Sequence, residues 1–209
     1  MRNILSEAIC ICATACAFTF VTGCETHNSG PATQNPSPAP SAPAATPTSP
    51  VASSPAPAGS VIRIKAGLST PFTDSSGHVW QPDQGFDGGD VIGRDQSTAI
   101  ANTKDAQIFL TEHYGMNSFS CNLPNGKYLA KLYFAETYEG VTGVGQRVFS
   151  YNVQGHEFKD LDLWAKTGGP NRAYVETVPV EVTSGKFLIT FTTQVQNPEI
   201  NAIELIPQM

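Results

Sequence analysis

The sequence predicts an all-β domain in which two antiparallel sheets pack as a jelly-roll-like sandwich, and three observations carry that prediction. Apolar residues alternate with polar ones in short runs, at Ile62, Ile64 and Ala66, at Phe149, Tyr151 and Val153, and at Phe187, Ile189 and Phe191. That is the period of strands with one buried face. Turn residues separate the runs: Asp74-Ser75-Ser76-Gly77, Pro124-Asn125-Gly126, Gln154-Gly155, Gly168-Gly169-Pro170 and Ser184-Gly185. No stretch of eleven residues repeats with helical spacing, so the strands are read without interleaved helices.

The first 60 residues stand apart from that domain. Arg2 and an apolar stretch of about fourteen residues from Ala8 to Val21 read as a secretory signal, residues 1–23, because spanning a bilayer needs roughly 20 apolar residues. The stretch ends in Val21-Thr22-Gly23-Cys24, which resembles a bacterial lipobox and implies cleavage before Cys24 and lipidation of that cysteine. Each buried acyl methylene contributes about 0.8 kcal/mol, so two or three chains anchor a protein durably. The resemblance implies a lipid-anchored protein of the bacterial cell envelope; Glu25, in place of an aspartate, implies the outer membrane if the cell is diderm. Residues 24–60 are the lipidated cysteine and a linker, with nine prolines among Ala, Ser and Thr after Cys24, no aromatic residue and a single charge at Glu25. Such a composition buries too little to fold. Extended as polyproline II at about 3.1 Å per residue, it reaches roughly 100 Å.

The folded part spans residues 61–209. Every Tyr and Trp, and every Phe except Phe18 and Phe20, lies in it, so the core forms there. A domain of this length buries roughly two thirds of its unfolded surface and needs no disulfide or metal to fold. Tyr128 to Phe134 is apolar on both faces except at Lys131 and is predicted to be a central strand. Cys121 is the one cysteine of the domain; it cannot belong to a disulfide framework there and is expected to be a small buried hydrophobe. The net charge of −6 is spread without runs and the lysines are scattered, which disfavours nucleic acid as a partner. A charged fraction of 14% with 18 glycines suits a strand-and-turn domain with a surface for neutral polar ligands.

Several blocks, in order, resemble a known family. Ile62-Arg63-Ile64-Lys65-Ala66-Gly67, then Phe72-Thr73-Asp74-Ser75-Ser76-Gly77-His78-Val79-Trp80 and Asp83-Gln84-Gly85-Phe86, are similar to the first strand and loop of malectin-type domains. Thr111-Glu112-His113-Tyr114-Gly115, Tyr133-Phe134-Ala135-Glu136-Thr137-Tyr138, Gly145-Gln146-Arg147-Val148-Phe149, Asp160-Leu161-Asp162-Leu163 and Asn197-Pro198-Glu199-Ile200-Asn201-Ala202-Ile203-Glu204 resemble its later blocks. The resemblance implies a malectin-like, galactose-binding-like sandwich and a non-catalytic carbohydrate-binding module for glucose-containing or cell-wall glycans.

A pyranose presents an apolar face of C–H groups and a rim of hydroxyls, so its site needs exposed rings beside amides or carboxylates. By the resemblance, Tyr114 and Tyr138 fall where the family uses tyrosines; a buried structural role is the alternative for either. Three positions depart from the family pattern. Gln196, followed by Asn197, stands where a ligand-binding aspartate precedes Asn-Pro; Glu139 stands in place of an aromatic residue; and Phe86 to Arg94 holds no counterpart of an early-loop tyrosine. Glutamine still donates and accepts hydrogen bonds to hydroxyls, so Gln196, Asn197 and Glu139 remain candidates while the sugar and linkage stay open. Trp80 and Trp164 are further candidate platforms, Trp80 read as packing and Trp164 as a loop-exposed extension of the site.

No catalytic constellation is legible. A glycosidase needs two carboxylates about 5 to 10 Å apart; Glu136 with Asp160 or Asp162 carries no such spacing signal, and the resemblance implies structural hydrogen-bonding roles for them. His27, His78, His113 and His156 form no metal-ligand pattern, and Asp87, Asp90 and Asp95 lack the alternation of a calcium loop. No metal or cofactor is therefore expected. The expected partners are an oligosaccharide or polysaccharide, and a membrane through the lipid on Cys24. The competing function is a protein-interaction or scaffold module of the envelope.

Overall fold

A computed structural model describes residues 59–208; the signal segment, Cys24 and the linker up to residue 58 lie outside the described residues. The strands in chain order are β1 (Ile62–Lys65), β2 (Phe72–Thr73), β3 (Val79–Trp80), β4 (Phe86–Asp87), β5 (Asp90–Gly93), β6 (Thr111–Tyr114) and β7 (Ser118–Asn122). They continue as β8 (Gly126–Phe134), β9 (Val148–Val153), β10 (His156–Leu161), β11 (Tyr174–Val182), β12 (Lys186–Val195), β13 (Glu199–Ile200) and β14 (Ala202–Pro207). One sheet has the order β1-β14-β8-β11, a second β10-β9-β12-β7-β4, a third β13-β6-β5, and β2 and β3 form a hairpin. The fold is all-β and antiparallel as expected.

The alternation read from the sequence is the packing of the sandwich. Tyr128, Ala130, Leu132 and Phe134 of β8 and Val178, Val180 and Val182 of β11 meet Phe149, Tyr151 and Val153 of β9 and Phe187, Ile189 and Phe191 of β12 in one core. Each large side chain fully removed from water there contributes about 1.5–3 kcal/mol. β8 lies between β14 and β11, with Tyr133 opposite Ala202 on one side and Val175 on the other. At the end of its second face a smaller core covers the strand: Trp80, Ile108, Phe109 and Leu110 gather around Tyr133. Trp80 meets Tyr133 edge-on at 5.4 Å and donates from Nε1 to Asp74 Oδ2 at 3.0 Å, so it is a packing residue.

The turns follow the local chemistry. Asp74 Oδ1 accepts from the N–H groups of Ser76 and His78, both at 2.9 Å, closing the loop between β2 and β3. Gln154 and Gly155 have φ of 49° and 92° between β9 and β10, the double left-handed turn that matches strand twist in a two-residue hairpin.

Two short helical pieces interrupt the strands, which corrects the expectation of none. A 3-10 turn covers Ala106–Phe109, and an α-helix, α1, covers Leu163–Thr167. The Gly168-Gly169 pair ends α1 with Gly168 in the left-handed region, where glycine has no steric penalty. Five residues are too few to show a helical period. Cys121 is half-buried on β7 rather than fully enclosed, and burial pushes its thiol up to about 11.

Candidate functional site

The site is built around β6, whose Thr-Glu-His-Tyr sequence is polar yet buried through its first three residues. Both faces of this strand are occupied. On one face, buried Lys65 donates from Nζ to Thr111 O and Asn201 O, each at 2.9 Å, to Ala66 O at 2.7 Å, and to Thr111 Oγ1. Burial pushes the Lys65 ammonium down to about 7, against the pull of Asp83, Glu199 and Glu112. His113, on the same face, has Nδ1 3.0 Å from Asp83 Oδ2 and Nε2 2.9 Å from Gly88 O. Both partners accept, so the two bonds favour the doubly protonated imidazolium. Burial opposes that charge, but the bonds to Asp83 and Gly88 outweigh it and raise the His113 pKa.

The other face of β6 carries Glu112, buried, and Tyr114, partly exposed. Strand β5 pairs alongside with Ile92 opposite Glu112 and Asp90 opposite Tyr114, and β13 brings Glu199 opposite Tyr114 from the other edge. Gly89 permits this approach: it has φ of 85°, and a Cβ there would lie 2.4 Å from Tyr114 O. Past β5, Arg94 donates from Nη2 to Glu112 Oε1 at 3.0 Å and from Nε to Thr137 Oγ1 at 2.9 Å, while Thr137 donates to Glu112 Oε2 at 3.0 Å.

Two loops complete the wall. The segment after β8 presents Tyr138, 43% exposed, whose N–H donates to Glu136 Oε1 at 3.0 Å. Arg147, just before β9, lies with Nε 2.8 Å from Glu136 Oε2, an ion pair whose N–H direction misses hydrogen-bond alignment. It also donates from Nη1 to Asn197 O at 3.2 Å and stands 6.0 Å from the centroid of the Tyr138 ring. Gln196 and Asn197 project from the turn between β12 and β13, Gln196 with φ of 60°. These residues enclose an open pocket of about 240 Å³ lined by Ile92, Arg94, Glu112, Tyr114, Tyr138, Arg147, Gln196 and Asn197.

Beneath the pocket the charges are matched. Glu136 is buried, and burial raises its pKa while Arg147 pulls it back. Glu199 is fully buried with neither carboxyl oxygen hydrogen-bonded; burial raises its pKa well above the usual carboxylate range, and the neighbouring Glu112 adds to the rise. The Glu112 carboxyl pairs with the Arg94 guanidinium and the Glu136 carboxyl with that of Arg147. The pocket thus offers donors, acceptors and two aromatic rings, with both of its guanidiniums ion-paired, the chemistry of a neutral polyol with an apolar face.

Of the candidate residues, Tyr114, Tyr138, Gln196 and Asn197 line this pocket, whereas Glu139 and Trp164 line an adjoining hollow that shares Tyr138. Sequence reasoning missed Ile92, Arg94, Glu112 and Arg147. Ile92 and Arg94 lie in the stretch from Phe86 to Arg94, which holds no tyrosine. The carboxylates once weighed for catalysis have other work: Glu136 is ion-paired below the pocket, and Asp162 caps α1 by accepting from Ala165 N at 3.0 Å. Among the described residues no three His, Cys, Asp or Glu side chains gather as a metal site.

A family model described as the Malectin domain matches residues 60–203. No curated protein matches the sequence. Among solved structures, a β-glucuronidase of Bacteroides uniformis superposes with a TM-score of 0.63 at 23% identity, over 71% of this chain and 18% of its own. The ANXUR1 extracellular domain of Arabidopsis thaliana gives 0.61 at 15% identity, over 70% and 47%. A chain from the complex of the plant peptide RALF23 with FER and LLG2 gives 0.61 at 16% identity, over 70% and 48%. This chain therefore spans under a fifth of the glucuronidase and about half of the plant chains, and the likeness to all three is one of fold.

Proposed function

The chain belongs to the malectin domain family, a family of binding modules, and from that premise we propose that its pocket binds one pyranose unit of a neutral glycan, glucose-containing or from the cell wall. The observation that carries the reading is the convergence of Tyr114 and Tyr138 in one open pocket over two ion pairs. The rings, with Ile92, stack on the C–H face of the sugar, while Arg94, Arg147, Gln196 and Asn197 donate to hydroxyls and Glu112 accepts. A volume of about 240 Å³ falls below the roughly 300–1,000 Å³ of sites for drug-sized ligands, which suits a single ring. Few contacts and solvent competition set dissociation constants at about millimolar to micromolar. Calorimetric titration of the purified chain with maltose, nigerose, soluble glucans and cell-wall fragments tests the reading: saturable heat lost in Tyr138→Ala supports it, and no heat from folded protein with any glycan overturns it.

A second reading, a protein-docking module of the cell envelope, draws on the exposed apolar side chains of Val91 and Ile92 on β5 and of Val144 in the loop after β8. Pull-down from an envelope extract with a Val91→Ser, Val144→Ser variant as control decides it: capture of one protein by the unaltered chain alone supports docking.

The lipobox resemblance further supports a proposal that Cys24 is lipidated and holds the domain at a bacterial envelope, in the outer membrane of a diderm cell. Metabolic labelling with palmitate, expected for the natural sequence and lost in Cys24→Ser, tests it; an unlabelled natural chain overturns it.

A further inference from the structure

The hydrogen bonds around the pocket leave its donors only partly used and its acceptors mostly taken. Glu112 is the one carboxylate of the lining, and both of its oxygens are occupied, Oε1 by Arg94 Nη2 and Oε2 by the Thr137 hydroxyl, each at 3.0 Å. The Glu136 carboxyl below is occupied as well, Oε1 by Tyr138 N at 3.0 Å and Oε2 by the ion pair with Arg147 at 2.8 Å. Arg94 uses Nε on Thr137 and Nη2 on Glu112, while Arg147 uses Nε on Glu136 and Nη1 on Asn197 O. Among the described residues, Arg94 Nη1 and Arg147 Nη2 therefore have no partner.

Gln196 adds a donor whose identity is fixed by the backbone. Its side-chain oxygen accepts from Asn197 N at 3.2 Å. A backbone N–H pairs only with the oxygen end of an amide, so the end left over for a ligand is the Nε2 amino group. The turn that carries it is held in place: Arg147 donates to Asn197 O at 3.2 Å, and Gly115 N donates to Pro198 O at 2.8 Å. Gln196 keeps its φ of 60° there, a left-handed conformation that a non-glycine residue retains only where the surroundings impose it. A sugar hydroxyl suits such a lining poorly, because it brings a proton that must itself find an acceptor. A carbonyl oxygen accepts two bonds and brings no proton. A carboxylate accepts too, but both guanidiniums already have carboxyl partners, and a further charge would be desolvated without a cation of its own. In a neutral pyranose the group that supplies a carbonyl is an acetamido substituent. Its methyl finds an apolar surface on Ile92, which lines the pocket and is 40% exposed.

We propose that the pocket selects an N-acetylated hexosamine, whose acetamido carbonyl accepts from Gln196 Nε2. The proposal rests on the glycan reading of this pocket and names the class of sugar within it. Its test is calorimetry on the purified chain with ligand pairs that differ only at C2: methyl β-glucoside against methyl N-acetyl-β-glucosaminide, and cellobiose against N,N′-diacetylchitobiose. Methyl β-glucuronide is the carboxylate-bearing arm. The acetamido member of each pair is expected to bind about tenfold tighter than its hydroxyl partner. In Gln196→Glu, which puts an acceptor where the amide donor stood, that ratio is expected to fall to about one or below. Gln196→Met, which removes the amide and keeps the length of the side chain, reads the same ratio if Gln196→Glu does not fold. An acetamido member that binds no better than its partner, or a ratio unchanged in both variants, overturns the acetamido assignment and leaves the glycan reading standing. Tightest binding of the glucuronide overturns the assignment together with the neutrality of the ligand. No binding by these or any other glycans removes both readings.

Discussion

Gly140→Ala separates the pose of Tyr138 from the stability of the domain. Gly140 is exposed and is not among the glycines in the left-handed region, so its backbone does not require glycine. The requirement comes from the tyrosine ring: a Cβ on Gly140 would lie 2.5 Å from both Cε1 and Cζ of Tyr138 and 2.7 Å from its hydroxyl. Carbon atoms in contact sit at about 3.5–4.0 Å, so the ring must swing away by an ångström or more. Its bond to the protein is undemanding, since the ring is 43% exposed, and Gly→Ala at a compatible position stabilises by about 0.4–1 kcal/mol through the unfolded chain. The expected outcome is a melting temperature equal to or above that of the parent. Misplacing one stacking ring costs about 1–1.5 kcal/mol of ligand binding, a factor of about ten in affinity. Parallel thermal melts and glycan titrations read both quantities. Full affinity in Gly140→Ala would refute the reasoning, because the ring would then bind from a displaced pose or not at all.

Three further outcomes are expected. Arg147→Met leaves Glu136 buried without its cation, and breaking a buried pair from one side costs about 3–5 kcal/mol; urea denaturation checks it, and a loss below about 1 kcal/mol contradicts the ion pair. Gly89→Ala, forced to place a Cβ 2.4 Å from Tyr114 O at φ of 85°, is expected to lose more than about 1 kcal/mol and to weaken glycan binding as β5 moves off β6. The third is a pH dependence. The folded pKa of His113 is raised above 6.5, so its contribution is complete below about pH 6.5 and is lost as pH climbs through the folded value. Glu136 and Glu199, also raised, bind protons more tightly when folded and act in the same direction above about pH 4.3. Lys65, lowered to about 7, acts in the opposite sense as it deprotonates, so melting temperature is expected to fall from pH 5 to about pH 7, less steeply in His113→Gln; a rise over that range contradicts the His113, Glu136 and Glu199 shifts.

The strands, their turns and the order of the blocks were determined by the sequence alone, because each rests on local physics. Period-two alternation at Phe149, Tyr151 and Val153 needs no knowledge of the partner strand, and a left-handed Gly155 marks its hairpin wherever the hairpin packs. Tyr114, Tyr138, Gln196 and Asn197 were legible because the blocks that carry them occur in family order. The short helix under Trp164 had a signal that periodicity could not supply, an aspartate cap at Asp162 and a glycine stop at Gly168.

Only the tertiary structure decided which polar residues are inside. Arg94 finds Thr137 across 43 positions, Arg147 reaches Asn197 across 50, and Lys65 bonds Asn201 across 136. An arginine in a sequence reads as surface, since charged side chains are rarely buried unless paired, and the pairing is invisible until the chain closes. For the same reason a Thr-Glu-His-Tyr strand looks exposed, yet it is buried because both of its faces receive counter-charges from distant segments. Which of Trp80 and Trp164 stays accessible was likewise settled by packing, as both are apolar rings beside a turn in the sequence and only Trp80 finds Tyr133 above it.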